Sequence, residues 1–312
     1  MTYDLVHRTI YEYALPVTVS HHTARIEPRQ LPNQQVGDFS LRVEPLPAVI
    51  KPRVDFFGNQ VCRFSIQKIH ERLEITSTSR VTVAAVTPPA LALSPDWESV
   101  VKLFSDPVSP GVVEPYQFVF DSPLLRTLPA LADYARESFD PGMPLLAAVA
   151  SLNKRIYTDF KYDPRATTIA TPLEEVLEKR RGVCQDFAHL AIACLRSLGL
   201  PARYVSGYLR TRPPEGKKRL VGSDASHAWF SIFCPDVGWI DFDPTNNLLP
   251  GEEHITAAYG RDYSDVSPVS GVITGGGSHR VRVSVDVSVA GENDPLADEG
   301  TRSTGSQSQS QS

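Results

Sequence analysis

The run Gly182-Val183-Cys184-Gln185-Asp186 sets a cysteine where a flexible glycine leads into a segment of helical apolar spacing. At the first turn of a helix, unsatisfied backbone amides and the positive end of the macrodipole favour a thiolate over a thiol. The thiolate is the attacking species in acyl transfer. The Cys184 N–H would then lie close to a developing oxyanion. The other three cysteines have different surroundings: Cys62 in Val-Cys-Arg-Phe-Ser-Ile, Cys194 inside an apolar helical run, Cys234 at the end of Trp-Phe-Ser-Ile-Phe-Cys. They read as small buried hydrophobes. With no close pairs and no metal-ligand spacing, neither a disulfide framework nor a metal site is expected.

A thiolate of this kind works with a base. His189 is nearest in sequence, but five residues of helix is a rotation of about 500°, which turns it away from Cys184; it reads as a packed or capping residue. His227 opens the apolar strand His-Ala-Trp-Phe-Ser-Ile-Phe, where a polar side chain can face a cleft while its neighbours bury. The base in turn needs an orienting acid, and Trp239-Ile240-Asp241-Phe242-Asp243-Pro244 offers two on one strand face. A four-residue connection with a regular ladder would set Asp243 opposite Phe230, on the wrong face for His227. A one-residue bulge, or a loop of three or five residues, restores the face at diagonal distance. Asp243 is preferred because Pro244-Thr245 ends the strand there; Asp241 is its rival. A carboxylate so placed fixes the imidazole tautomer and stabilises the imidazolium.

Weaker candidates surround these three. Tyr162 is a second oxyanion donor or a packing tyrosine. Trp229 and Tyr263 are candidate substrate contacts, although Trp229, like Trp239, reads first as a core or cleft-wall residue. His254, Arg261 and Asp262 follow the aspartate strand and are candidates for the rim. The basic residues Arg210, Arg212, Lys217, Lys218 and Arg219 flank a Pro-rich loop and read as solvated.

The elements that must position these side chains fall into two parts. Strand-like runs occupy Tyr3–Tyr13, Phe39–Val43, Val61–Ile66, Leu73–Ile75 and Val81–Val83, with turn punctuation between them. Residues 1–86 are thus expected to form an all-β, sandwich-like domain, followed by a linker over 87–122 with a short helix near Trp97–Leu103. From Pro123 the period becomes helical: Leu124–Glu137, Leu145–Tyr157, a short helix capped by Thr171 with Pro172 at its first position, and one from Cys184 to Gly199. Strands Ala202–Leu209, His227–Cys234 and Trp239–Phe242 follow. Helices succeeded by an antiparallel sheet give an α+β catalytic core over 123–275. Five alternating valines, Val281 to Val289, mark a C-terminal strand within 276–291. The polar Ser/Gln-rich segment 292–312 reads as disordered.

The chain has 312 residues, 41% hydrophobic and 21% charged, enough to bury a conventional core. Its net charge of −5 argues against general affinity for nucleic acid or anionic membrane. No apolar run approaches the roughly 20 residues that span a bilayer. Asp4, His7, Arg8 and Glu12 interrupt the place where a signal peptide needs an apolar core, so a cytoplasmic location is expected. There is no EF-hand loop or zinc motif, and no cofactor is expected.

Taken together, Gly-Val-Cys-Gln-Asp-Phe-Ala-His-Leu, Gly-Leu-Pro-Ala-Arg-Tyr-Val-Ser-Gly-Tyr, His-Ala-Trp and Gly-Trp-Ile-Asp-Phe-Asp-Pro-Thr-Asn resemble the core of the bacterial transglutaminase-like family, over about residues 155–250. The N-terminal region, with Arg-Ile-Glu-Pro-Arg-Gln and Asp-Phe-Phe-Gly-Asn, resembles the β-rich domain that accompanies this core, and Gly260–Val266 resembles the segment after it. The resemblance implies a papain-like fold and a Cys184/His227/Asp243 triad. It also implies a peptide or protein amide substrate, attacked by thiolate to give a thioester. Water then gives hydrolysis and an amine gives transamidation. Hydrolysis is the preferred expectation, because water is always available and no amine-binding feature is legible. The alternative is a non-catalytic peptide- or protein-binding module on the same fold.

Overall fold

The computed structural model describes residues 1–105, 110–211 and 225–291. Arg212, Lys217, Lys218 and Arg219, and the Ser/Gln-rich segment from 292, lie outside the described residues. The first part of the chain is built on one long strand, β1 (Thr2–Ala24), followed by β2 (Gln34–Glu44), β3 (Val49–Val54), β4 (Gln60–Ile66) and β5 (His70–Val83). Along β1, Tyr3, Leu5, His7 and Thr9 alternate onto a buried face, the period-two pattern of a half-covered strand. The sheet order is β2-β5-β1-β4-β3.

Two of the expected strand runs fuse. Leu73–Ile75 and Val81–Val83 belong to the single strand β5, because Ser77 and Ser79 carry the buried alternation across the polar stretch between them. Strand β3 has no counterpart among the expected runs. All of its residues are exposed, so it has no hydrophobic period to read, and Pro52 sits on it as a proline can at a sheet edge.

The second part carries α1 (Trp97–Ser105), α2 (Val113–Tyr116), α3 (Pro129–Arg136) and α4 (Leu145–Asp159). Then come β6 (Lys161–Tyr162), α5 (Leu173–Lys179), β7 (Arg181–Gly182) and α6 (Cys184–Ser197). Helix α3 starts later than the apolar spacing from Leu124 suggests. Pro129 sits at its first position and holds Leu128 extended, at φ −138° and ψ 144°, so the helix cannot begin upstream. Nor does Thr171 cap α5: Pro172 occupies the cap position, and the Thr171 hydroxyl accepts the Thr168 N–H instead.

Helix α6 is the centre of this part. Residues Phe187 to Leu195 are at least 95% buried, because the helix packs on the sheet with one face and against α3, α4 and α5 with the other. It ends where expected, at Gly199 with φ +82°. The sheet is antiparallel, β10-β9-β8-β11, formed by β8 (Ala202–Leu209), β9 (Ala225–Cys234), β10 (Gly238–Phe242) and β11 (His254–Gly260). The short α7 (Tyr263–Val266) follows. No helix among the described residues is long and apolar enough to cross a membrane.

The chain then returns to its beginning. Strands β12 (Val269–Gly275) and β13 (His279–Val289) both pair antiparallel with β1, making the first sheet seven-stranded. Val285 and Val287 of β13 join Tyr3, Leu5, Val81 and Val83 of that sheet, and Tyr208, Ile255 and Ala257 of the other, in one apolar cluster. That cluster ties the two parts together. Deleting residues 279–312 removes two buried valines and a whole ladder, and should cost at least about 3 kcal/mol of stability. The check is a thermal melt against the full chain, and an unchanged midpoint would contradict it.

Candidate active site

Cys184 opens α6 at the end of an extended residue, Val183, with φ −115° and ψ 179°. Valine has no side-chain acceptor for the first amides of the helix. The reciprocal half of a capping box is present instead: Asp186 Oδ2 accepts the Val183 N–H at 2.8 Å. The Thr167 hydroxyl donates to the same oxygen at 2.6 Å, fastening the preceding loop to the helix start. Burial raises the pKa of Asp186, while these two bonds work to lower it. Cys184 remains partly exposed, whereas Cys194 and Cys234 are buried. Burial pushes the thiols of Cys62, Cys194 and Cys234 up.

His227 reaches the site from β9 and Asp243 from the end of β10. The hairpin between these strands has a three-residue loop, Pro235 to Val237, with Gly238 already paired to Cys234. Asp236, at φ +65°, and Gly238, at φ +93°, make that turn. The ladder then runs regularly to Phe242 opposite Phe230, so Asp243 falls on the His227 face at diagonal distance. His227 Nε2 bonds Asp243 Oδ2 at 2.7 Å. Cys184 also acts on the ring, its negative charge favouring the protonated form.

Burial opposes a charged ring here, but the hydrogen bond to Asp243 and the charges of Cys184 and Asp243 outweigh it, holding the His227 pKa up at about 10. Burial also opposes the Asp243 charge, and the bonds from His227, His254 and Asn246 hold its carboxyl far below the usual range. The raised histidine favours the folded state fully below its ordinary value of 6.5. That contribution is lost as pH rises through about 10.

Asp241 shares the face of Asp243 and is otherwise engaged: Trp229 Nε1 donates to it at 3.0 Å, and the Ser231 hydroxyl donates to its other oxygen. Trp229 is fully buried with that indole N–H satisfied, so it presents no surface to a ligand and backs His227 from within, 6.0 Å between ring centroids. Trp239 packs edge-on against Phe118 and Phe233 and under the Arg203 guanidinium. His189 is buried with its pKa lowered to about 4, and its Nε2 accepts the Tyr263 N–H at 3.1 Å, a packed residue.

Tyr162 is half exposed on β6, and Tyr263 half buried at the start of α7. Burial raises both phenols, with a smaller upward contribution from the Cys184 charge; at Tyr263 a hydrogen bond with Ser267 works against it. Arg261 pairs with Asp265, and Asp262 is buried, accepting from Leu124 N and Ser264, so neither is free for a ligand. Arg210 stands 6.0 Å over the Tyr3 ring.

Two residues around Asp243 exceed what sequence reasoning placed. Asn246 donates from Nδ2 to Oδ2 at 2.7 Å, and the Thr245 and Asn246 amides donate to Oδ1 at 2.9 and 3.2 Å. The Asp-Pro-Thr-Asn run carries the signal for this, an aspartate accepting amides two and three residues on. His254, read only as a rim candidate, is buried at the start of β11 and donates from Nε2 to Oδ2 at 3.2 Å. His227, Asp243 and His254 bring their ligand atoms within 4.8 Å of one another, close enough for a metal ion. In this arrangement both Nε2 atoms are spent on hydrogen bonds to the carboxylate.

Gly182 tests the geometry at Cys184. A Cβ there would lie 2.7 Å from Asp186 Oδ2 and 2.8 Å from Asp186 Cβ. Gly182→Ala should therefore dislodge the Asp186 carboxylate and cost about 1–3 kcal/mol. It should also slow alkylation of Cys184. Denaturant unfolding and iodoacetamide kinetics measure the two effects; a variant matching wild type in both would refute the contact.

Residues 3–82 match the family model of the bacterial transglutaminase-like N-terminal region, and residues 132–244 that of the transglutaminase-like superfamily. An uncharacterized protein of Mycobacterium tuberculosis is 42% identical over 296 residues, 91% of this chain and 92% of that protein. One of Mycobacterium leprae is 32% identical over 287 residues, 91% and 97% of the two chains. A protein-glutamine gamma-glutamyltransferase of Pseudomonas aeruginosa is 31% identical over 129 residues, 39% of this chain and 18% of that one. Among solved structures, one provisionally described as a cysteine protease, from Cytophaga hutchinsonii, superposes with a TM-score of 0.71 at 22% identity. It covers 99% of this chain and 96% of its own, a likeness of fold. With both family regions present in order and relatives similar along nearly the whole length, the chain belongs to the bacterial transglutaminase-like family.

Proposed function

We propose that the protein is a cysteine-dependent acyl-transfer enzyme acting on amide bonds of peptides or proteins, with Cys184 as nucleophile, His227 as acid and base, and Asp243 as the orienting carboxylate. The single observation that carries this reading is His227, which bonds the buried Asp243 carboxylate at 2.7 Å and whose raised pKa the Cys184 charge supports. An imidazole whose proton is retained to about pH 10 is an imidazolium at neutral pH, and it favours a thiolate beside it.

In this mechanism the Cys184 sulfur attacks the amide carbonyl carbon. The oxygen takes up negative charge, facing the Cys184 N–H at the helix start, with the Tyr162 hydroxyl as second donor. The C–N bond breaks as His227 gives its proton to the departing amine, leaving a thioester. The neutral imidazole then takes a proton from water as water attacks. The acid leaves, and thiolate and imidazolium are restored. Tyr263, half buried at the start of α7, is assigned to the wall along which substrate lies.

Hydrolysis is the preferred outcome, because the acceptor water needs no binding site. Transamidation is the second reading, favoured by the partial similarity to a protein-glutamine gamma-glutamyltransferase. Mass spectrometry of peptide mixtures incubated with the protein, with and without a primary amine, separates them: new termini or deamidated products mean hydrolysis, amine adducts mean transamidation. No product of either kind that depends on Cys184, judged against Cys184→Ala, would leave only a binding role.

Asp243→Asn should keep the fold and present the wrong tautomer, lowering kcat by about 10³–10⁴-fold. Asp241→Asn should instead cost mainly stability, since it weakens the acceptor for Trp229 and Ser231. The reverse pattern would move the orienting role to Asp241. The leaving amine needs the His227 proton, so kcat/KM on a cleaved peptide should fall as pH rises through about 10. A fall centred near 6.5, the ordinary histidine value, would contradict a protonated working form.

A further inference from the structure

Asp243 is fully buried, and its Oδ2 meets three donors: His227 Nε2 at 2.7 Å, Asn246 Nδ2 at 2.7 Å and His254 Nε2 at 3.2 Å. Asn246 is three residues from Asp243 and moves with it. His254 belongs to another strand, β11, on the far side of the sheet from β10. It is therefore the only one of the three donors that ties the carboxylate to a separate element without itself facing Cys184.

The His254 ring is held firmly. It packs edge-on against Trp229, 5.3 Å between centroids at 88°, and Trp229 is fixed in turn by its bond to Asp241. Its backbone N–H donates to Gly251 O at 3.0 Å. Two residues further on, the edge of β11 is gripped by the first sheet's region. Thr256 N donates to Gln34 Oε1 at 2.8 Å, while Gln34 Nε2 and Arg29 N donate back to Thr256 O at 2.8 and 3.0 Å. Asn59 makes the same two-way amide pairing with Tyr259, at 2.8 Å each way.

We propose that His254 is a positioning residue: held on β11 by the N-terminal region, it fixes the Asp243 carboxylate against His227 and thereby keeps the imidazolium facing Cys184. The proposal rests on the acyl-transfer reading above and adds a role for the N-terminal region, as the clamp that sets β11. The titratable groups facing His227 are Cys184 from α6, Asp243 from the end of β10 and, across the carboxylate, His254 from β11. Asp241, on the same face, is taken up by Trp229 and Ser231.

The test compares His254→Gln, whose Nε2 stands the same number of bonds from Cα and keeps the donor, with His254→Phe, which keeps a ring and loses it. Each is compared with wild type at matched folded fraction, and His254→Ala takes the place of the phenylalanine variant should that one not fold. His254→Phe should lower kcat about 10- to 100-fold with little change in KM, the range that a lost hydrogen bond to a charged group commands. It should also move the half-maximal pH of Cys184 alkylation by iodoacetamide upward, because a loosened imidazolium stabilises the thiolate less. His254→Gln should restore both. An unmoved alkylation profile with kcat close to wild type would overturn the proposal. So would equal losses in the glutamine and phenylalanine variants. Wild-type protein in which Cys184 is not alkylated ahead of the other thiols would instead overturn the acyl-transfer reading itself.

Discussion

A carboxylate with no access to water is costly unless every lone pair finds a donor, and the arrangement around Asp243 follows from that constraint. Two backbone amides of its own turn take Oδ1, and three side chains from three places converge on Oδ2. With those donors in place the group stays ionised within the protein, and the ionised group in turn holds a proton on a buried imidazole. Removing any one partner would leave a buried charge short of a bond, so the donors that satisfy the carboxylate also hold it against the His227 ring.

The other half of the site is assembled at the start of α6, where the same economy operates. Asp186 closes the helix end that Val183 cannot cap, and Gly182 leaves the space its carboxylate fills. Cys184 is thereby set on a rigid, fully packed helix rather than on a loop. The helix is buried on both sides, so the thiol's position is fixed by the densest part of the molecule.

The N-terminal sheet is integral to the part that carries Cys184, His227 and Asp243. Strand β13 returns to pair with β1 while contributing to the apolar cluster shared with Tyr208 and Ile255. The free edge of β11 is covered by side-chain amides of Gln34 and Asn59, which supply the hydrogen bonds a further strand would otherwise make. An edge closed in this way is both protected from pairing with other chains and set in register, and His254 lies on it.

What the sequence determined by itself is local. A glycine before a helix start marks Cys184, period-two and period-3.6 patterns mark most strands and helices, and three motifs in order mark the family. It also narrowed the acid to two residues. What it left open was decided by tertiary structure, for identifiable reasons. Whether either of these acids could share a face with His227 depended on a loop of three rather than four residues, a one-residue difference that flips a whole face. Strand β3 was illegible because an exposed edge has no apolar period. The start of α3 was misread because Pro129 overrides the apolar spacing before it. His254 carried no sign of reaching Asp243, because that contact arises between strands distant in sequence. Spacing along a chain encodes which face a side chain takes, whereas the partner across that face is chosen only when the sheet is assembled.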